Sequence, residues 1–293
     1  MRFFLALLVD GALAGSVYAL VALAFVVVYK ASRVMNFALG EWVMFASRMV
    51  AAGSHALALP LAGAVGLGSV GMTALAVMFN RVVLRPLVGR PAISLIMVTI
   101  GFGGVLRAST VLFLPGGGGG ILLPVPSEPL AVGGLLLAPG KLIAAAAASA
   151  GVAIVAGVYR TRTGVALRAI ADDPQAAMAA GIDVDRHFAV TWAMAGTIAV
   201  VAGTLWTAIT GGGLSLVLIG LKVFPIVIIG GLDSILGTIV GALLIGVLES
   251  EAAGYVDPLL GAGFSSVASY LVLLTVLLVR PYGLFGSPDI ERV

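Results

Sequence analysis

The sequence predicts an all-α, polytopic transmembrane helical bundle of eight or nine spans, some of them discontinuous or re-entrant. Three observations carry that fold class. Apolar residues make up 61% of the 293-residue chain and charged residues only 10%, where soluble domains carry about 25%. With a mean hydropathy of +1.18, such a chain cannot cover itself with polar surface. The apolar residues fall in runs that approach the roughly 20 residues a helix needs to cross a bilayer. The forty glycines suit helices whose backbones approach closely in lipid.

In chain order the apolar runs are 3–29, 37–54, 58–80, 92–114, 139–159, 188–210, 234–253 and 264–280. The N-terminal Met1-Arg2-Phe3-Phe4-Leu5 reads as the start of the first span, because no small-residue cleavage site followed by a soluble domain is present. Residues 214–230 are apolar but glycine-rich and interrupted by Lys222 and Pro225, so they form either a full span or a re-entrant piece. Lys30 with Arg33, Arg81 with Arg85 and Arg90, Arg160 with Arg162 and Arg168, and Arg280 mark cytoplasmic ends by the positive-inside rule. The loop 115–138, with Pro115, the Gly116–Gly120 run and Glu128, then falls outside. With 30–33 and 280 both inside, the N-terminus lies outside and nine crossings are required; eight result if the first segment or 214–230 fails to cross. Residues 1–293 form a single domain with no soluble module. Gly11–Tyr29 and Gly230–Glu249 are weakly similar helices beginning beside Asp10 and Asp233, the kind of symmetry found in transporter repeats with broken helices.

Several chemistries are excluded. The chain has no cysteine, so disulfides, thiol catalysis and cysteine metal sites are absent, and two distant histidines make no zinc site. The nearest approach to a phosphate loop, Gly134 to Gly140-Lys141, has five intervening residues and continues into Leu142, which does not satisfy the required spacing. The Gly116–Gly120 run lacks a flanking strand and helix and reads as a flexible loop. No Ser/His/Asp set or paired acid suggests hydrolysis, so no residue is assigned as catalytic or metal-binding. The net charge of +3 sits mostly in loops, where it reports topology and not nucleic-acid binding.

The polar run Tyr159–Arg186 holds four arginines and four aspartates. Within it, Asp172-Asp173-Pro174 starts a helix with an acceptor at the N-cap and proline in the first turn. Gln175–Ala180 continues it and Gly181 ends it. About two turns of helix are too short to stand alone in water, so the segment needs a partner surface, and an apolar helix in a groove is a standard recognition mode. The alternative is a solvated loop that fixes topology.

Isolated polar residues mark a possible pathway. Glu41 lies in an apolar stretch, where an ionisable group is functional by default; alternatively it pairs with Arg33 or Arg48, or serves as a first-turn acid of the 37–54 helix. Asn36 suits the N-cap of that helix. Ser16 and Tyr18 suit inter-helix packing and hydrogen bonding, and Arg107 and Glu249 suit snorkelling toward headgroups. Any substrate carboxylate is expected at helix N-termini near Asn36 or Gly230 and not at an arginine clamp.

The run Gly15-Ser16-Val17-Tyr18-Ala19-Leu20, then Tyr29, then Val34-Met35-Asn36-Phe37-Ala38-Leu39-Gly40-Glu41 resembles the start of LivH-type permeases of branched-chain amino acid ABC importers. Arg85-Pro86-Leu87, Thr99-Ile100-Gly101, Thr163-Gly164, Arg168-Ala169, Asp173-Pro174, Ala177, Gly181-Ile182-Asp183, Gly230-Gly231-Leu232-Asp233-Ser234 and Arg280–Gly286 continue the resemblance in order. It implies a transport subunit in a bacterial cytoplasmic (inner) membrane. Its partners are a second related permease, two ABC ATPases that bind ATP and Mg, and an extracytoplasmic solute-binding protein; no cofactor sits on this chain. Ser16, Tyr18, Asn36, Glu41, Thr99, Gly230, Gly231, Asp233 and Ser234 then belong to the substrate pathway. Arg168, Asp172, Asp173, Pro174, Ala177, Gly181, Ile182 and Asp183 belong to the ATPase-coupling segment, within a cytoplasmic loop 160–187. Ala177 is expected to line the ATPase contact, and Asn36, Glu41 and the 230–234 turn to face the second permease. Two positions depart from the family pattern: Leu39 stands where histidine is common, and Asp233 where glycine is common. Both loosen a strict leucine/isoleucine/valine assignment, leaving related amides and small organic acids as substrates. A self-sufficient secondary carrier or channel is the competing class, and it requires an ion or proton relay; a structural subunit without its own pathway is a third.

Overall fold

The computed structural model describes residues 1–87, 90–114, 120–125, 128–261 and 263–286. Residues 115–119 and 126–127 of the external loop, including most of the Gly116–Gly120 run, lie outside the described residues. Among the described residues all nine apolar runs are helical: α1 (Arg2–Ser32), α2 (Leu39–His55), α3 (Leu61–Phe79), α4 (Ala92–Phe113), α5 (Pro139–Val158), α8 (Val184–Thr210), α9 (Val217–Gly230), α10 (Ile235–Tyr255) and α12 (Phe264–Val279). The polar run contributes α6 (Arg162–Asp172) and α7 (Pro174–Ala179), and a single turn α11 (Asp257–Leu260) precedes α12. Beyond helices the described residues hold one small antiparallel hairpin, β1 (Leu130–Val132) and β2 (Leu135–Leu137), with Leu130 opposite Leu137.

The centre of the bundle is α1, buried almost continuously from Val17 to Val28. It packs antiparallel on α10 through backbone contact. A Cβ at Gly11 would lie 2.6 Å from the Gly246 carbonyl oxygen, and one at Gly246 would lie 2.5 Å from the Gly11 carbonyl oxygen. Any larger side chain would force the helices apart, the reason small residues populate such membrane interfaces. In the same way α10 runs antiparallel to α9, with Gly237 against Gly230 and Gly241 against Ile226. Helix α5 lies parallel to α1: Lys141 pairs with Asp10 at 2.6 Å near one end, and the Tyr159 hydroxyl donates to the Val27 carbonyl at 3.2 Å near the other. Helix α2 is parallel to α8, where Val43 meets Gly203 and the Ser47 and Thr207 hydroxyls share a 2.6 Å hydrogen bond.

Six helices have the length and apolarity to cross a membrane, so the chain is a multi-pass membrane protein. Helices α2 (17 residues) and α9 (14 residues) reach only about 25 and 21 Å at 1.5 Å per residue, short of the roughly 30 Å hydrocarbon core. Their first turns meet: a Cβ at Gly220 would lie 2.6 Å from the Gly40 nitrogen. Lys222, in the same turn of α9, reaches the hydroxyl of Tyr18, at the middle of the 31-residue α1. The two short helices therefore begin at mid-depth. One leaves parallel to α8, and the other runs antiparallel to α10 and so parallel to α1. The sequence treats 37–54 as a full span and 214–230 as either a span or a re-entrant piece; the helices found there are 17 and 14 residues long.

The break before α2 has local causes. Arg33 adopts a left-handed conformation (φ 54°) that ends α1. The Asn36 Oδ1 accepts from the Ala38 amide at 3.1 Å, and the Phe37 amide donates to Thr99 Oγ1 at 3.3 Å. The N-cap of α2 is Ala38 rather than Asn36, so Asn36 organises the turn leading into the helix and does not cap it. At the far end of α9, the Ile229 and Gly230 carbonyls accept from the Leu284 and Phe285 amides at 2.7 and 3.1 Å. The C-terminal segment thereby satisfies carbonyls that a helix end leaves open. Near the opposite face Asp257 organises the start of α12, accepting from the Ser265 amide at 2.8 Å. That backbone hydrogen bond holds its carboxyl below the ordinary range.

If the Gly–Gly contact of α1 with α10 sets the bundle, Gly246→Leu costs at least the roughly 1–3 kcal/mol typical of overpacking. Gly157→Ala, where an added Cβ meets nothing within 4 Å, serves as the comparison. Thermal unfolding of detergent-purified protein checks the contrast, and equal melting temperatures for the two variants contradict it.

Candidate functional site

The meeting point of α2 and α9 opens into a cleft of about 640 Å³. Phe37, Ile100, Leu218, Leu221 and Phe224 give it apolar walls, and Glu41 and Arg107 give it its charge. The residues come from the first turn of α2, the middle of α4 and the outer face of α9. Positive helix N-termini converge here from two directions, and Glu41 is the acid in the first turn of α2. Arg107 Nη2 donates to Glu41 Oε1. The carboxylate side chain is only 10% exposed, whereas the guanidinium side chain is 53% exposed along the cleft. Gly103 makes room for this pair: a Cβ there would stand 3.1 Å from the Glu41 carboxyl carbon.

This arrangement corrects three expectations. Glu41 pairs with Arg107 and with neither Arg33 nor Arg48. Arg107 does not snorkel away from the bundle; it lines the cleft, so a guanidinium is available where none was expected. The 230–234 turn is not at the cleft. Gly230 and Gly231 are packed under the C-terminal segment, the Asp233 carbonyl accepts from Lys30 Nζ at 2.6 Å, and the Ser234 Oγ caps α10 at the Gly237 amide. Asn36 and Thr99 are buried just beneath the cleft, holding the break in the chain. Ser16 bonds its own helix at the Leu13 carbonyl and does not reach the cleft.

A second charged cluster ties α9 to its neighbours. Glu249 Oε2 accepts from Lys222 Nζ and from the Tyr18 hydroxyl, both at 2.8 Å, and Oε1 accepts from Ser269 Oγ at 2.9 Å. Lys222 also reaches the Tyr18 hydroxyl at 3.1 Å and lies over its ring, which packs at a tilt of 33° against Trp206. Four helices thus share one carboxylate. Glu249 is not a snorkelling residue, and Lys222 is not merely an interruption of an apolar run. The signal for both was in the sequence: a charge at membrane depth is costly unless paired, so Glu41 and Glu249 call for partners such as Arg107 and Lys222. Which cation meets which acid depends on helix packing.

The polar run forms a two-helix unit at the cationic end. Helix α6, which the sequence reading missed, buries Gly164, Leu167 and Ile170 at helical spacing, and Arg168 Nη1 donates to the Tyr159 carbonyl at 2.7 Å. Asp173 caps α7, accepting from the Gln175 and Ala176 amides at 2.8 and 2.9 Å. Gly181 (φ +83°) ends it, and the Gly181→Met178 and Ile182→Ala177 backbone bonds complete a Schellman cap. Asp183 caps α8 at the Arg186 amide, and Asp185 meets Arg85 at 2.7 Å. Ala177 is buried within the chain and cannot line an external contact; Met178 is 56% exposed, and Asp172, Asp173 and Pro174 are exposed with it.

The model of the family described as branched-chain amino acid transport system / permease component matches residues 7–280. The chain belongs to this family. The permease is 29% identical to the high-affinity branched-chain amino acid transport system permease protein LivH of Escherichia coli K12, over 99% of this chain and 98% of that protein. It is 28% identical to LivH of Salmonella typhimurium over the same shares, and 29% identical to BraD of Pseudomonas aeruginosa over 98% and 97%. No solved structure matches it. As a permease component it is a transport protein and not an enzyme, and its multiple apolar helices make it multi-pass. Among its described residues no group of three metal-binding side chains occurs.

Removing one member of the Lys222–Glu249 pair leaves a buried uncompensated charge. Lys222→Met is therefore expected to cost about 3–5 kcal/mol, and Lys222→Met combined with Glu249→Gln to recover more than half of it. Thermal unfolding of the two variants measures the coupling; additive losses would contradict a mutually neutralising pair.

Proposed function

We propose that the chain is one transmembrane half of an ATP-driven importer for branched-chain amino acids or chemically related small solutes. The observation that carries the reading is the meeting of two half-helix N-termini at mid-depth beside a cleft with apolar walls. Transporter sites are built in this way, with broken helices aimed at the substrate. The similarity to LivH and BraD, named as branched-chain amino acid transport permeases, supports the substrate class.

Nine crossings fit the antiparallel and parallel pairings when α2 and α9 each count together with the segment that leads into it. The N-terminus is then outside. The cationic end, with Lys30, Arg33, Arg160 and Arg168, is inside by the positive-inside rule, in a bacterial cytoplasmic membrane. Ile100, Leu218 and Leu221, each more than half exposed along the cleft, form a face suited to a second, related permease that would close the pathway. Two ATPases carrying ATP and Mg would dock on α6 and α7 and supply the power, and an external binding protein would deliver the solute. The secondary-carrier alternative, which would need an ion or proton relay, is disfavoured because Glu41 and Glu249 are each already neutralised by a cation.

Coupling through α7 is tested on its exposed face. Met178→Glu is expected to lower ATP-dependent uptake at least about tenfold, a loss of roughly 1.4 kcal/mol, while permease and ATPases still co-purify. Uptake by proteoliposomes of the full complex provides the measurement. Normal uptake by this variant, or uptake by the permease alone without ATPases, contradicts the reading.

A further inference from the structure

We propose that Glu41 and Arg107 together form the head-group subsite for an α-amino acid zwitterion, Glu41 receiving the ammonium and Arg107 the carboxylate. The inference rests on the permease reading and adds to it the residues that would select the solute's head group.

Three features of the cleft lead to it. First, the ion pair is unsaturated. Only Arg107 Nη2 and Glu41 Oε1 are engaged with each other; Arg107 Nε and Nη1 and Glu41 Oε2 make no hydrogen bond among the described residues. A guanidinium presents five N–H donors in a planar fork that matches a carboxylate. A ligand carboxylate can therefore use the remaining edge while Glu41 Oε2 accepts from an adjacent ammonium. In an α-amino acid the two groups are attached to one carbon, so they reach neighbouring partners without either pair member being displaced.

Second, the electrostatics select for neutrality. Glu41 and Arg107 sum to zero, and the site lies at mid-depth between apolar walls. A zwitterion keeps the sum at zero and forms charge-assisted bonds with both members. A simple carboxylate or amine would add a net charge where an unpaired charge is expensive. A neutral amide preserves neutrality, but its bonds carry one charged partner and not two and are correspondingly weaker.

Third, the remaining shape suits one apolar side chain. Phe37, Phe224, Ile100, Leu218 and Leu221 line the cleft beside the pair, and its volume falls within the roughly 300–1,000 Å³ of small-molecule sites. Among the described residues nothing charged other than Glu41 and Arg107 lines it, so selection by charge falls to this pair.

The test uses the full transporter complex in nanodiscs and ligand-observed saturation-transfer NMR, which detects weak binding directly. The probes are leucine, 2-hydroxy-4-methylpentanoate (no ammonium), 3-methylbutylamine (no carboxylate) and 4-methylpentanamide (neutral). Leucine is expected to bind at least about tenfold more tightly than each of the other three, as the loss of one charge-assisted bond implies. Glu41→Gln is expected to bring leucine and the hydroxy acid within about twofold, and Arg107→Gln to do the same for leucine and the amine. The wild-type comparison stands even where a variant fails to assemble. Binding of any single-group analogue within about threefold of leucine by the wild-type complex overturns the subsite, as do variants that keep the wild-type ratios. ATP-dependent leucine uptake without these ratios leaves the transport reading standing and removes the subsite. Absence of ATP-dependent uptake of any solute removes the transport reading, while the binding ratios still decide whether Glu41 and Arg107 select the head group.

Discussion

Backbone-to-backbone packing along α1, α10 and α9 is the constraint on which the rest of the permease depends. Gly11 and Gly15 bring α1 onto α10, and Gly230, Gly237 and Gly241 bring α10 onto α9. In lipid there is little hydrophobic drive between helices, so close van der Waals approach has to supply the association. The consequence reaches the functional region directly. Helix α9 is too short to be positioned by spanning the membrane; it is positioned by the helix it lies against. Its first turn then arrives opposite Gly40 of α2, and the depth of the cleft follows from glycines some distance away.

Glu41 and Glu249 each have a cation, whereas the buried carboxylate oxygens of Glu251 have no hydrogen-bond partner among the described residues. The two pairs differ in what surrounds them. Glu249 is enclosed by Lys222, Tyr18 and Ser269, so its acceptor capacity is directed inward and the cluster fastens four helices. Glu41 has a single cationic partner with much of its fork facing open space. One pair is structural in its geometry and the other is presented to a cavity. Burial of the carboxylate is similar in both, so the distinction lies in the exposure of the cation.

Much of the architecture was legible in the residues. Every apolar run became a helix because long apolar segments in a chain so poor in charge have no other way to satisfy their backbone in lipid. The helix α7 was legible because Asp173, Pro174 and Gly181 specify its ends by local chemistry alone. Other features depend on contacts between segments far apart in sequence. Residues 34–38 are as apolar as a helix start, and one of the contacts that keep them out of α2 is the bond of the Phe37 amide to Thr99, 62 positions away. The partnership of Arg107 with Glu41 spans 66 positions and depends on α4 approaching at Gly103. Ala177 was misread because an alanine on a short helix gives no sign of which side faces the protein.

The contact between the C-terminal segment and α9 bears on biosynthesis. Membrane helices enter the bilayer as they are made, yet the last carbonyls of α9 find their partners in Leu284 and Phe285, more than fifty residues later. Until synthesis passes those positions, the turn after α9 has open acceptors and the hairpin of α9 with α10 is incomplete. Completion of the half-helix that borders the cleft is therefore coupled to synthesis of the segment that holds Leu284 and Phe285. A ribosome that stops after α12 but before this segment leaves a protein with every membrane helix inserted and the cleft's supporting element still unfinished.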